Sequence, residues 1–234
     1  MGRGSQEGRV VRIVLVDDQE LIRFSIRSVL SREEDIEVVG EASTGRESLD
    51  VCRRLKPDLV LMDIEMPEMD GIEATRRIKE DLPETSVLML TSQDDPDRLL
   101  EAIQAGAAGY VLKENALFQI TSAIRSVLDG EPSLDPGLSM GLLRRLSGRP
   151  QPSEDSHRVA AHRQEIIELL TNRELEVLGL IALGHTNQQI AQELFLSVGT
   201  VKTHTHHIVR KLEVSDRTQA AVLAIKLGLE SSGW

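Results

Sequence analysis

Five short apolar runs, each followed by an amphipathic stretch, set what the first half of this chain can fold into. The runs are Val10–Val16, Ile36–Gly40, Leu59–Met62, Ser86–Leu90 and Gly109–Leu112. Short apolar runs bounded by turn signals read as strands covered on both faces. Between them the spacing becomes helical. Leu21, Ile22, Phe24, Ile26, Val29 and Leu30 recur at helical spacing, and Ser43-Thr44-Gly45 opens a helix to about Leu55 that Pro57 stops. Further helices are predicted over Gly71–Asp81, Asp97–Ala105 and Ala116–Leu128. Strands alternating with helices imply a parallel sheet with helices on both faces. Right-handed crossovers then favour an α/β, doubly wound sheet in the order 2-1-3-4-5.

The alternation stops after Glu131. Pro132, Pro136, Gly137, Gly148, Pro150 and Pro152 follow in quick succession, with several Ser, which reads as a linker with a short helix over Leu138–Leu146. Helical pattern resumes near Ala161. Thr171 with Glu174 forms a capping-box pattern ahead of an apolar repeat that Gly184 ends. Helices are predicted over Asn187–Leu194, from Ser197 to about Leu212, and from Ser215 or Asp216 to Leu227. The second half is therefore a small all-α domain.

Composition narrows the function classes. Aromatic residues make up only 2% of the chain, so aliphatic side chains must build the cores. The net charge of −11 argues against indiscriminate polyanion binding, though not against a local basic face. One cysteine, Cys52, rules out an intrachain disulfide and fits a reducing, cytoplasmic setting. No apolar stretch is long enough to span a membrane, and Met1–Arg9 lacks the apolar core of a signal peptide.

The expected sheet order brings polar residues together at one edge. Asp17-Asp18 and Asp63 end adjacent strands, and Thr91 and Lys113 end the next two. Taken alone, Asp63 could equally be a turn cap before Pro67 and Asp70-Gly71. Together, the carboxylates repel one another unless a cation sits among them. Oxygen-only ligands at low count suit Mg²⁺. A cation plus a lysine is what a transferring phosphoryl group needs, and a carboxylate can accept that group as an aspartyl-phosphate.

The set Asp17-Asp18, Asp63 with Met66-Pro67 and Asp70-Gly71, Thr91 and Lys113 resembles the receiver domain of two-component response regulators, over roughly residues 9–130. The resemblance implies that Asp63 is the phosphoacceptor. Asp18 is then the direct metal ligand, Asp17 a second acidic partner acting largely through water, and the Glu65 carbonyl completes the shell. Thr91 would hydrogen-bond a phosphoryl oxygen, Lys113 would pair with it, and Tyr110 stands at the family's aromatic switch position. Two positions depart from the pattern. Glu114 replaces a common Pro after the lysine, which leaves the backbone there open, and Ser92 stands where a small residue such as Ala is usual.

The helix from Ser197 to Leu212 has two faces. At about 100° per residue, Thr205, Ile208 and Leu212 fall near Val201. Lys202, Thr203, His206 and Arg210 lie on the opposite side, with Gly199 among them. A short helix and a tight turn precede it, as in a helix-turn-helix whose second helix enters the major groove. Lys202 and Thr203 are placed for base edges, His206 for base or phosphate, and Arg210 for phosphate; Thr200 joins them at the amino end. The three histidines at 204, 206 and 207 point apart, so metal binding there is not expected. Leu170-Thr-Asn-Arg-Glu-Leu-Glu-Val-Leu, Gly184-His-Thr-Asn-Gln-Gln-Ile-Ala and Leu196-Ser-Val-Gly-Thr-Val-Lys-Thr-His resemble the LuxR-type DNA-binding domain, over about residues 168–231 with a linker at 131–167. A receiver joined to such a domain is the arrangement of the NarL/FixJ family. The resemblance implies a non-enzymatic transcriptional regulator, phosphorylated by a histidine kinase, that binds double-stranded DNA as a homodimer. Two rivals are a constitutive DNA binder with a vestigial receiver and an aspartyl-phosphate phosphatase. Glu65, where such phosphatases often carry a second Asp, and the lack of a substrate cap disfavour the latter.

Overall fold

A computed structural model of the chain describes residues 10–92, 95–131 and 163–229. The short helix expected over Leu138–Leu146 lies outside the described residues. Five parallel strands form one sheet, in the order β2-β1-β3-β4-β5. They are β1 Val11–Val16, β2 Ile36–Ala42, β3 Leu59–Asp63, β4 Ser86–Thr91 and β5 Gly109–Leu112. Five helices alternate with them: α1 Glu20–Leu30, α2 Gly45–Leu55, α3 Gly71–Asp81, α4 Pro96–Gln104 and α5 Lys113–Leu128.

The period of two along each strand divides the core into two layers. Val14, Val16, Val60, Met62, Val87, Met89 and Tyr110 point to one face, where they meet Leu49, Ile72, Ile78, Leu99 and Ile103 from α2, α3 and α4. Ile13, Leu15, Leu59, Leu61, Leu88, Leu90 and Val111 point to the other, against Ile26 and Leu30 of α1 and Ile120 and Ile124 of α5. Side chains at the twelve of these positions that lie on β1, β3 and β4 are essentially inaccessible to solvent. This explains why the strands read as unbroken apolar runs rather than alternating ones.

One boundary differs from expectation. Helix α5 begins at Lys113, three residues before the first periodic apolar residue, Ala116. A proline at 114 would disfavour helical geometry at 113. Glu114 imposes no such restriction, and Leu112 is the last extended residue.

The second half is helical throughout its described part. Helical turns over 163–169 lead into α6 Asn172–Ala182, α7 Asn187–Glu193, α8 Val198–Lys211 and α9 Arg217–Lys226. Thr171 and Thr186 each form a full capping box, and the Ser197 and Asp216 side chains cap α8 and α9. Such caps contribute on the order of 1 kcal/mol each. Leu175, Leu178, Ile181, Ile190, Val201, Ile208 and Ile225 share one core, which also takes in Ile166 and Leu170.

The two halves touch along a polar and apolar seam. Val222 of α9 is buried in the sheet-face cluster that contains Tyr110, Leu99 and Ile103. Thr218 Oγ1 donates to the Ala108 carbonyl at 2.9 Å, and Gln219 Nε2 donates to the Ile103 carbonyl. The Asn187 amide donates to Glu131 Oε1 at 2.9 Å, and Arg217 Nη1 donates to Asn187 Oδ1 at 2.6 Å. Lys202 Nζ of α8 lies 3.0 Å from Asp129 Oδ1, just past the end of α5.

Candidate functional site

Parallel strands deliver their carboxyl ends to one edge, and the polar residues sit there because each follows a buried run. Asp17 comes directly after β1, with its amide donating to the Ala42 carbonyl at 3.2 Å. Asp63 ends β3 and Thr91 ends β4. Lys113 follows β5 at the first turn of α5. Lys113 Nζ bridges Asp17 Oδ2 at 2.7 Å and Asp63 Oδ2 at 2.9 Å. One carboxylate oxygen each from Asp17, Asp18 and Asp63 lies within 4.8 Å of the others. Asp17 and Asp63 are buried and Asp18 is exposed. Among the described residues this is the acidic group that could hold a metal ion.

The electrostatics follow from two buried carboxylates sharing one ammonium. Burial pushes the Asp63 carboxyl up to about 6; the Lys113 hydrogen bond holds it down, and the charge on Asp17 pushes it further up. For Lys113, burial disfavours the ammonium, but hydrogen bonds to Asp17 and Asp63 outweigh it and hold the pKa above its ordinary value. The Glu65 amide donates to Asp63 Oδ1 at 3.3 Å, and the Gln19 amide donates to Asp17 Oδ1 at 2.9 Å, which fixes both carboxylates from the backbone. The Glu65 side chain is exposed.

Gly71 is a feature of this edge that spacing alone did not explain. Asp70 Oδ1 caps α3 by accepting from the Glu73 amide at 2.8 Å. The Gly71 amide donates to the Ile64 carbonyl at 2.9 Å, which folds the start of α3 back over the end of β3. A Cβ at position 71 would stand 1.8 Å from the Asp63 carbonyl oxygen. Gly71→Ala is therefore expected to push the backbone of Asp63 and to cost about 1–3 kcal/mol in urea unfolding, as overpacked positions do. It is also expected to slow any phosphorylation of Asp63. Wild-type stability in this variant would mean that the helix shifts freely and that Gly71 does not hold the site.

Thr91 and Tyr110 are both buried, but in different places. Thr91 is 3% exposed at the end of β4, where it pairs in register with Leu112. Tyr110 is 2% exposed, pairs with Met89, and faces the cluster that receives Val222. It thus lies beneath α9 rather than in the acidic pocket.

On α8 the two expected faces are present. Val201, Thr205 and Ile208 are buried against the helical core, with Leu212 partly buried beside them. Thr200, Lys202, Thr203, His206 and Arg210 are exposed. Lys202, Thr205, His206 and Val209 also line a cavity of about 290 Å³ whose opposite wall is Val127, Leu128, Asp129 and Gly130. The end of α5 therefore covers one flank of α8. His206 and His207 have ring centroids 6.4 Å apart.

Similarities to known proteins follow the same division. Residues 13–125 match the family model described as the response regulator receiver domain, and residues 168–224 match that of bacterial regulatory proteins, luxR family. The chain is 41% identical to the response regulator protein VraR of Staphylococcus epidermidis (strain ATCC 12228 / FDA PCI 1200), and 42% identical to VraR of Staphylococcus aureus (strain NCTC 8325 / PS 47). Each similarity spans 94% of this chain and 98% of the relative. Among solved structures, a LuxR-family two-component response regulator from Aurantimonas sp. SI85-9A1 matches at 32% identity with a TM-score of 0.55, over 58% of this chain and 97% of that one. The RcsB response regulator of Salmonella typhimurium matches at 25% identity with a TM-score of 0.55, over 87% and 93%. No helix among the described residues is long and apolar enough to cross a membrane. The chain belongs to the two-component response regulators, as a phosphorylation-dependent transcription regulator that joins a receiver domain to a LuxR-type DNA-binding domain.

Proposed function

We propose that Asp63 is the phosphoacceptor of this regulator, charged by a partner histidine kinase, and that the charge is relayed to the DNA-binding helix through α9. The observation that carries the site assignment is Lys113 Nζ bridging Asp17 and Asp63 at the ends of β1 and β3. A carboxylate oxygen of Asp63 attacks phosphorus, the bond to the donor breaks, and an acyl phosphate results. Lys113 would then pair with the added charge, and the Thr91 hydroxyl would hydrogen-bond a phosphoryl oxygen. Water later returns the carboxylate and inorganic phosphate, so the domain supports its own dephosphorylation without an external substrate.

The donor set fits Mg²⁺. Three carboxylates with one ammonium leave an excess of negative charge, and all the ligand atoms are hard oxygens. Asp17, Asp18, Asp63 and the Glu65 carbonyl would hold the ion. When bound, it would neutralise the oxygens of the transferring phosphoryl group.

On this reading the receiver occupies residues 9–130, the linker 131–167 and the DNA-binding domain 168–231, with the end of the linker entering the helical core through Ile166, and the protein works in the cytoplasm. Thr200, Lys202, Thr203, His206 and Arg210 form the DNA surface. Drawing Thr91 toward the new charge would move β4 and its neighbour β5, whose Tyr110 shares a buried cluster with Val222. That would release α9 and part Lys202 from Asp129. Homodimerisation would follow on surfaces such as Leu21 and Phe24 of α1 with Leu117 and Phe118 of α5, which stand exposed on helices that touch each other. Incubation with acetyl phosphate and Mg²⁺ is expected to add one acid-labile phosphate, read by intact mass. The label should be absent in Asp63→Asn and Asp63→Ala. Ordinary labelling of either variant would sink the assignment.

A further inference from the structure

Thr203 is exposed on the DNA-facing side of α8, but its hydroxyl is turned inward. Thr203 Oγ1 donates to the Gly199 carbonyl at 3.0 Å, one turn back in the same helix. A threonine hydroxyl has a single proton, so the atom expected to offer DNA a donor is already engaged. The other branch of the side chain, the Cγ2 methyl, remains for the ligand. The surroundings suit an apolar contact. Gly199 lies four residues earlier on the same face and carries no side chain. A Cβ built there would meet only Ser197 Oγ, at 3.7 Å. Val198, in the first turn of the helix, is 41% exposed although branched and apolar. The first turns of a recognition helix are the part that meets base edges. In the major groove the one apolar group a base presents is the 5-methyl of thymine.

We propose that Thr203 is a specificity-determining residue that selects thymine through a methyl-to-methyl contact over Gly199, rather than a hydrogen-bond donor to DNA. The inference rests on α8 being the DNA-reading helix. It assigns a base preference to one position in each half-site, while Lys202 contributes attraction and hydrogen bonding beside it.

The test begins with DNA selected from a random pool by the phosphorylated full-length protein. Each thymine of the selected site is replaced in turn by deoxyuracil, which removes the 5-methyl alone. At one position per half-site, binding by the wild type is expected to weaken about four- to fifteenfold, the worth of one or two buried methyl groups. Thr203→Val keeps a methyl and removes the hydroxyl, and should bind the thymine site within about twofold of wild type. Thr203→Ser keeps the hydroxyl and removes the methyl. It should lose about the same factor as the deoxyuracil substitution and become indifferent to it. The proposal is overturned if Thr203→Val loses affinity while Thr203→Ser keeps it, or if no single deoxyuracil weakens binding. Lys202→Ala separates this failure from that of the underlying reading, because it should weaken all duplexes alike if α8 reads DNA. Unchanged binding by Lys202→Ala as well would remove α8 itself from the interface. Since Thr203 is exposed, none of these outcomes depends on the core of the domain.

Discussion

Asp63→Asn is expected to stabilise the metal-free protein at neutral pH while abolishing its capacity to be phosphorylated. In the folded chain the Asp63 carboxyl titrates near 6 rather than at its ordinary value of 3.8, first because it is buried and then because Asp17 stands beside it. A raised folded-state value means that the protonated carboxyl favours folding. That contribution is fully present below the unfolded value and is lost as pH rises through the folded one. At pH 7 the ionised carboxylate therefore costs about 2–3 kcal/mol relative to a neutral group, from a shift of roughly two units at 1.36 kcal/mol each. Asn carries no such cost and leaves Lys113 paired with Asp17. The difference in stability between variant and wild type should be small near pH 4, grow between about 4 and 6, and level off above. Urea titrations across that range read it directly. Mg²⁺ should reverse the order, because a cation that binds only the folded site stabilises the wild type by mass action and has fewer ligands in the variant. Equal stability of the two proteins at pH 7.5, with equal shifts on adding Mg²⁺, would show that Asp63 is not strained by its neighbours.

The architecture was legible because its signals are local or of short period. Buried strands are unbroken apolar runs, turns are marked by Pro and Gly, and the Thr171–Glu174 pair announces α6 in four letters of sequence. The edge that gathers Asp17, Asp63, Thr91 and Lys113 follows from topology, since every parallel strand ends on the same side. Other features depend on distances that spacing does not encode. Nothing at position 71 states that a Cβ would meet the carbonyl of residue 63, although an Asp-Gly pair after a buried strand is a hint. The start of α5 at Lys113 depended on the absence of proline at 114, a local effect noted in the sequence without its consequence. Thr203 is polar by type, and only the hydrogen bond from its hydroxyl to the Gly199 carbonyl, which spacing does not encode, suggests an apolar contact through its methyl. Val222 reads as one more apolar residue of an ordinary helix. Its place in the receiver's core comes from the docking of one half on the other, which leaves no periodic trace.

That docking leads to the second large effect. In the closed arrangement α9 is seated on α4 and on the turn before β5, while Asp129 faces Lys202. On the proposed reading DNA would need Lys202 and the flank of α8 that the end of α5 covers, so closed protein and DNA-bound protein would be alternatives. When only a fraction of molecules is open, apparent affinity falls by that fraction. Val222→Lys places an ammonium in an apolar cluster that would have to bury it, and should shift the balance toward the open form. Unphosphorylated Val222→Lys is then expected to bind selected DNA about ten- to a hundredfold more tightly than unphosphorylated wild type, an opening worth roughly 1.4–3 kcal/mol. The gain conferred by acetyl phosphate should shrink correspondingly. Asp129→Lys tests the same balance without touching α9, by setting two like charges against each other at the mouth of the seam. Its effect should be smaller, because both Asp129 and Lys202 retain solvent access and exposed pairs contribute up to about 1 kcal/mol. Salt distinguishes the two variants, since screening should erase the Asp129→Lys effect and leave most of that of Val222→Lys. If both unphosphorylated variants bind DNA as weakly as wild type while their phosphorylated forms bind normally, the seam does not restrain α8, and phosphorylation must act through dimerisation alone.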